Sequence, residues 1–248
     1  MGAPPKSVLA RGLLLLDAFG AADSDLALAQ LTARTGLPKP TAYRMIAELV
    51  AHGWLERTDR GYRLGMKIFV LGQHVPRQRG LREAALPYLE DLYEATHENV
   101  HLTVFDSPDT LFLEKVTGRR SMPIVSRVGG TLPAHCTASG KVFLALGPPS
   151  RVRQVVDGGL ARLTPKTITM PGLLRQDLDR TLACGYGINR EESETGVVAV
   201  AAPVHDHTRR VIAAVSIAGR SHRLDLERLA SAVKTAAFSL SREVAHFR

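Results

Sequence analysis

Apolar residues recur at helical spacing from about Ser7 to Phe19, where Val8, Leu9, Leu13, Leu16 and Phe19 form a stripe. Ser7 suits the N-cap of this helix. Gly20 and the polar run Asp23-Ser24-Asp25 end it. A second short helix is predicted over about 26–35, with Ala27, Leu28 and Leu31 buried and Gly36 as a left-handed stop. Pro38-Lys39-Pro40 then opens a third helix, because a proline loses nothing in a first turn whose N–H groups are unpaired anyway. This helix runs to about His52. Ala42, Ile46, Leu49 and Val50 line one face, and Thr41, Arg44, Ala47 and Glu48 the other. The stretch Trp54 to Leu64 follows, two short alternating runs that flank a turn with glycine, and predicts a β-hairpin.

Helical spacing returns at about 66–74 and breaks at Pro76. The basic, glycine-containing stretch 77–82 reads as a linker, and a long amphipathic helix follows over about 81–97. The period then drops to two: Val100, Leu102 and Val104 precede Leu111, Leu113 and Lys115 across the turn Ser107-Pro108-Asp109. Further strands are predicted at about 124–128, 187–191, 197–204 and 211–218, with helices at about 136–146, 151–156, 171–184 and 224–246. Strands with interspersed helices and hairpin-like neighbours near the end give an α+β fold around an antiparallel sheet. The expected division is 1–65 as a winged helix-turn-helix domain, 66–80 as a linker helix and linker, and 81–248 as a second domain. Met1 to Lys6 reads as a disordered start.

The 248 residues suffice for two domains. A hydrophobic fraction of 45% and a charged fraction of 23% fit an ordinary soluble protein. The formal net charge is +8, which favours a polyanionic partner, but the excess is spread along the chain and locates no site. Cys136 and Cys184 are the two cysteines, too few for a disulfide framework or a cysteine-rich zinc site. No run approaches the ~18 apolar residues of a membrane span, and no signal peptide is legible. A cytoplasmic protein is expected.

Three short helices and a hairpin match the winged helix-turn-helix. Packing Leu28, Leu31, Ile46 and Leu49 against the first helix leaves the outer face of the third free for a major groove about 12 Å wide. Thr41, Tyr43 and Arg44 sit near its N-terminal end, where base edges are reached. Lys39 and Arg34 are placed for phosphates, and the wing carries Arg57, Arg60 and Arg63 for the flanking backbone or minor groove. A trihelical protein-interaction module is the alternative. The tight turn, the polar outer face and the basic wing favour double-stranded DNA.

The stretch 37–44 (Leu-Pro-Lys-Pro-Thr-Ala-Tyr-Arg), with Trp54-Leu55 and 62–65 (Tyr-Arg-Leu-Gly), resembles the IclR family of transcriptional regulators. The segment 132–141 (Leu-Pro-Ala-His-Cys-Thr-Ala-Ser-Gly-Lys) is similar to that family's most distinctive stretch. Gly185-Tyr186, Glu191-Glu192, Gly196-Val197 and 201–204 (Ala-Ala-Pro-Val) agree as well, in order, so the resemblance spans about 7–247. It implies a GAF-like effector domain, a homodimer and often a tetramer, a palindromic operator, and a small organic effector, frequently a carboxylic acid. It implies no enzymatic activity and no cofactor. One departure is Pro40, where the family usually has serine.

His135, Cys136, Ala138, Ser139 and Gly140 lie where a helix opens after a strand and loop, and backbone N–H groups there favour an anion. The resemblance adds Asn189, Glu191 and Ala199; Asn189 and Glu191, two apart on a strand, would share one face. Ordinary helix-cap and sheet-edge chemistry is the competing reading. Ser139-Gly140-Lys141 is no phosphate loop, since no glycine stands five residues before Gly140 and Val142 stands where a Ser/Thr is needed. His97-Glu98-Asn99-Val100-His101 has a zinc-protease spacing, but a strand from Val100 would set the histidines over ~10 Å apart. Cys136 beside His135 reads as a small buried residue, with a redox thiol as the minor alternative. His205-Asp206-His207 reads as a solvated turn.

Overall fold

The computed structural model describes residues 5, 7–20, 23–222 and 224–245; Met1 to Lys6, apart from Pro5, and His246 therefore lie outside the described residues. The chain divides into two compact units, Met1–Arg79 and Gly80–Arg248. No helix among the described residues is long and apolar enough to cross a membrane.

In the first unit, α1 (Val8–Asp17), α2 (Leu28–Thr35) and α3 (Lys39–Ala51) enclose a small core. Leu15, Leu31, Leu37, Ala42 and Ile46 are almost fully buried there, each large side chain contributing about 1.5–3 kcal/mol. Gly36 ends α2 at φ 67°, as a left-handed cap should, and its N–H reaches the Thr32 carbonyl. The hairpin β1 (Leu55–Thr58) and β2 (Gly61–Leu64) follows, then α4 (Met66–Gln73). Leu26, expected in the second helix, instead exchanges both backbone hydrogen bonds with Tyr62 and extends the wing. Gly61 permits this contact: its φ is 142°, and a Cβ there would lie 2.3 Å from the Leu26 carbonyl oxygen.

The second unit is a six-stranded antiparallel sheet of order β5-β4-β3-β8-β7-β6. Its strands are β3 (Asn99–Asp106), β4 (Asp109–Val116), β5 (Thr131–Pro133), β6 (Gly187–Arg190), β7 (Val197–His205) and β8 (Val211–Arg220). Period-two alternation gives the sheet two different faces. Val100, Leu102, Val200, Val215 and Ile217 pack on α5 (Pro76–Thr96) and α9 (Leu226–Val244). The other face carries Ala199, Ala201, Ala214 and Ala218 beneath α6 (Ala138–Leu146). Outside α6 lie α7 (Pro149–Asp157) and α8 (Pro171–Cys184).

Two sequence expectations need correction. Residues 77–82 form no irregular linker, because α5 begins at Pro76 and runs through them. Residues 124–128 form no strand, and β5 lies a few residues later. In that segment the Val125 N–H donates to Glu194, and the Ser126 carbonyl accepts from Lys115 Nζ, so side chains rather than a ladder satisfy the backbone. The His97–His101 motif straddles a boundary: α5 ends at Thr96, His97 has φ 56°, and β3 begins at Asn99. No group of three or more metal-ligating side chains occurs among the described residues.

Candidate functional site

On α3, Ala42, Met45 and Ile46 face inward, which turns Tyr43, Arg44, Ala47 and Glu48 to solvent. Tyr43 is 54% exposed, a large aromatic on the solvent face of α3. Lys39 and Pro40 occupy the first turn of α3, and Thr41 is half-buried beside them. Pro40 removes one of that turn's N–H groups, and the Ala42 N–H is already given to the Pro38 carbonyl. Arg57 and Arg60 are exposed on the wing.

Two of the expected phosphate-binding arginines are engaged inside the unit. The Arg34 guanidinium grips Asp23 at 2.5 and 3.0 Å and donates to the Ala18 carbonyl, tying α2 to the end of α1. That pair holds the Asp23 carboxyl below its ordinary range. Arg63 pairs with Glu56 at 2.7 Å across the hairpin, so a phosphate at Arg63 must compete with a carboxylate.

The second unit contains an open cleft. Its floor is the alanine-rich sheet face, and its walls come from the N-terminal end of α6, the 124–126 segment and the β6–β7 connection. Ala138, Ser139, Asn189 and Ala199 line it, as the sequence suggested. Thr137 caps α6, its Oγ1 accepting from the Gly140 N–H at 3.0 Å, while the Thr137 carbonyl accepts from Lys141. The Ala138 and Ser139 N–H groups therefore remain as the first-turn donors at the cavity.

Four expected site residues lie elsewhere. Gly140 is not a lining residue, because it presses on the turn Ala134–Cys136 behind the cap. The His135 ring bonds the Ala161 carbonyl at 3.0 Å, away from the cleft. Cys136 is fully buried and donates to the Pro133 carbonyl, and burial pushes its thiol up to about 12. A thiolate is the reactive form, so a neutral-pH maleimide should label exposed Cys184 and spare Cys136 in the folded protein. Equal labelling of both by mass spectrometry would contradict that placement. Glu191 misses the cavity because β6 ends at Arg190 and Glu191 takes φ 63°. Its carboxylate goes to Lys166 at 2.6 Å and to the Gly196 N–H, and the lysine holds it below the usual range.

The principal residues missed by sequence reasoning are His101, Ser126 and Ser216. His101 Nε2 lies 2.9 Å from Ser126 Oγ, Nδ1 lies 3.4 Å from Ser216 Oγ, and the ring meets Phe112 edge-on. The one available signal was the alternation of β3, which puts His101 opposite Val100 and Leu102. Burial, reinforced by the Lys115 charge, pushes the imidazole down to about 3. The unfolded chain takes up a proton near pH 6.5 that the folded chain refuses. Stability from this group is therefore complete above pH 6.5 and falls as pH drops toward 3, by about 1.4 kcal/mol per unit at most. Chemical denaturation between pH 7 and 4 should show that slope and lose it in His101→Asn; an unchanged slope would contradict the buried neutral ring.

Family models match both units: the IclR helix-turn-helix domain over residues 8–59, and the bacterial transcriptional regulator IclR C-terminal domain over residues 73–242. The chain is similar to the HTH-type transcriptional regulator XynR of Escherichia coli, 32% identical over 95% of this chain and 96% of that one. It is also 31% identical to the glycerol operon regulatory protein of Streptomyces griseus, over 95% of each. Among solved structures, an IclR homolog from Microbacterium hydrocarbonoxydans complexed with 4-hydroxybenzoate aligns with a TM-score of 0.89 and 30% identity, over 96% of this chain and 99% of that one. The Thermotoga maritima IclR aligns at 0.76 with 30% identity, over 96% and 98%. With a helix-turn-helix unit followed by this sheet domain, both matched in order, the chain belongs to the IclR family of transcriptional regulators.

Proposed function

We propose that the chain binds a palindromic operator as a homodimer and that a small organic acid in the sheet-domain cleft changes that binding. The carrying observation is the cleft itself: an apolar pocket that opens on the first-turn N–H groups of α6, where an anion is favoured. The Microbacterium relative holds a carboxylate-bearing aromatic, which supports the same ligand class here. Dimerisation is supported by apolar side chains that the first unit leaves outside its core: Val8, Leu9 and Leu13 on α1, and Met66, Phe69 and Val70 on α4. A symmetric pair of α3 helices reads two half-sites related by the same two-fold axis.

The docking arrangement assigns Thr41, Tyr43 and Arg44 to base edges and Lys39, Arg57 and Arg60 to phosphates. Arg44→Ala should cost about 1–3 kcal/mol on the operator and flatten preference at one position of each half-site. Arg57→Ala should weaken all sequences alike and reduce the salt slope by about 1 per site. Fluorescence anisotropy on an operator panel at several salt concentrations measures both; wild-type affinity in both variants would refute the arrangement.

A further inference from the structure

We infer that Glu56 positions the Arg63 guanidinium for a phosphate of the DNA backbone, so that this carboxylate on the wing strengthens DNA binding although its charge opposes it. The inference rests on the docking arrangement above and extends it to Arg63 and to a residue of the wrong sign for a polyanion. Its first support is the edge of the guanidinium that is taken. Arg63 Nε donates to Glu56 Oε2 at 2.8 Å, and Nη2 lies 2.7 Å from the same oxygen. Nη1 has no hydrogen-bond or ion-pair partner among the described residues. Glu56 therefore competes for the Nε edge alone, and the edge formed by Nη1 and Nη2 stays free for an end-on contact with a phosphate. The Arg63 side chain is 57% exposed, so a phosphate can reach that edge.

The second support is how Glu56 itself is held. Its other oxygen, Oε1, accepts from the Met66 N–H at 3.3 Å. Gly65, the N-cap of α4, has no side chain to do this. The Gly65 N–H donates to the Trp54 carbonyl at 2.8 Å, and a Cβ at Gly65 would lie 2.1 Å from the Gly53 carbonyl oxygen. Lys67 donates to the carbonyl of His52, the C-cap of α3. Glu56 is thus anchored where α3, the wing and α4 meet. An exposed ion pair contributes little stability. This one instead restrains a long side chain that would otherwise sample many rotamers, and so places its planar fork before DNA arrives. The third support is placement. Pairing across the hairpin sets Glu56 beside Arg63 on one face and Arg57 beside Tyr62 on the other. A wing at a minor groove lies between two phosphate strands, so Arg57 and Arg63 address one strand each. The guanidinium stands between Glu56 and its phosphate, and salt screens the remaining repulsion with a Debye length of about 8 Å.

The test measures fluorescence anisotropy of the full chain on a random duplex and on its own upstream DNA at several salt concentrations. Arg63→Ala should weaken binding to both DNAs about threefold or more and lower the salt slope by about 1 per site. Glu56→Ala should also weaken both about threefold or more, although it removes a negative charge. Glu56→Gln, which keeps the shape of the side chain, should act in the same direction. With Arg63→Ala already present, adding Glu56→Ala should cause no further loss. Wild-type or tighter binding in either Glu56 variant that folds overturns the inference. So does an undiminished loss from Glu56→Ala in the Arg63→Ala background, which a merely structural role would give. An unchanged salt slope in Arg63→Ala overturns it as well. Arg57→Ala is the reference: if it weakens binding while Arg63→Ala does not, the docking arrangement stands and this inference falls; if neither does, both fall.

Discussion

Replacing Lys141 with methionine is expected to destabilise the sheet domain by about 3–5 kcal/mol, the usual consequence of removing one partner from a buried ion pair. Lys141 is 1% exposed. Its ammonium donates to Glu192 Oε1 at 2.5 Å and to the Ile188 carbonyl at 3.0 Å, and it pairs with Asp177 Oδ2 at 2.7 Å. One side chain on α6 thus holds α8 and the connection after β6. Methionine fills much of the same volume, so the change isolates charge from packing. Without the ammonium, the buried Glu192 carboxylate loses its counterion and the half-buried Asp177 carboxylate its partner, and Glu192 Oε2 already meets no hydrogen-bond partner among the described residues. The melting temperature should fall by roughly 6–20 °C. Adding Asp177→Asn and Glu192→Gln should recover most of the loss, because neutral amides remove the orphaned charges. A single variant that melts within 1 °C of wild type would show that Lys141 is not their counterion. The connection it restrains also carries Ser193 and Glu194 into the cleft, next to Asn189 on β6, so acid binding should weaken with stability.

Gly140→Ala is the second large effect. A Cβ at Gly140 would lie 2.0 Å from the Ala134 carbonyl oxygen, 2.4 Å from its Cα and 2.5 Å from its carbonyl carbon. All three are backbone atoms of a tight turn and cannot rotate away, so the start of α6 must lift. Alanine's better helix propensity returns about 1 kcal/mol, and a clash with three fixed backbone atoms costs about 3 kcal/mol or more, the upper end for overpacking. The displaced first turn carries the Ala138 and Ser139 N–H groups, so acid affinity should fall at least tenfold. Gly172→Ala is the control: it lies in α8, nothing stands within 4 Å of its added Cβ, and its stability should be unchanged or improved. Urea unfolding and calorimetry compare the two. Equal stability of both alanine variants would mean that α6 does not rest on Ala134 as described.

Much of the first unit was legible in the chain. Gly36 marks a left-handed cap, Pro38-Lys39-Pro40 marks a helix start, and both act through local backbone constraints that sequence displays. Leu26 was misassigned because its partner Tyr62 is distant in sequence, and pairing across the wing outweighs the helical spacing of 26–35. The cleft was legible in the residues where it rests on a helix start, at Ala138 and Ser139, and through the family resemblance at Asn189 and Ala199, but obscure where the chain leaves the strand after Arg190. The glutamate pair shows why. The family resemblance pointed to Asn189 and Glu191, which a continued strand would put on one face, but the left-handed turn at Glu191 sends it to Lys166 and Glu192 inward to Lys141. Lys141 gave no signal, since a lysine reads as solvated until its two carboxylates, remote in sequence, are brought to it. Alternation on β3 set His101 opposite Val100 and Leu102, but its serines lie on other elements, remote in sequence.

The most direct test is binding of the full chain to a fluorescent fragment of its own upstream DNA, against random DNA, at two salt concentrations and with and without 4-hydroxybenzoate. The account predicts at least tenfold discrimination, about 1.4 kcal/mol, which survives the higher salt and shifts when the acid is added. Weak binding that salt abolishes equally on both DNAs, and that stays absent across a genomic fragment library with acid present, would contradict it.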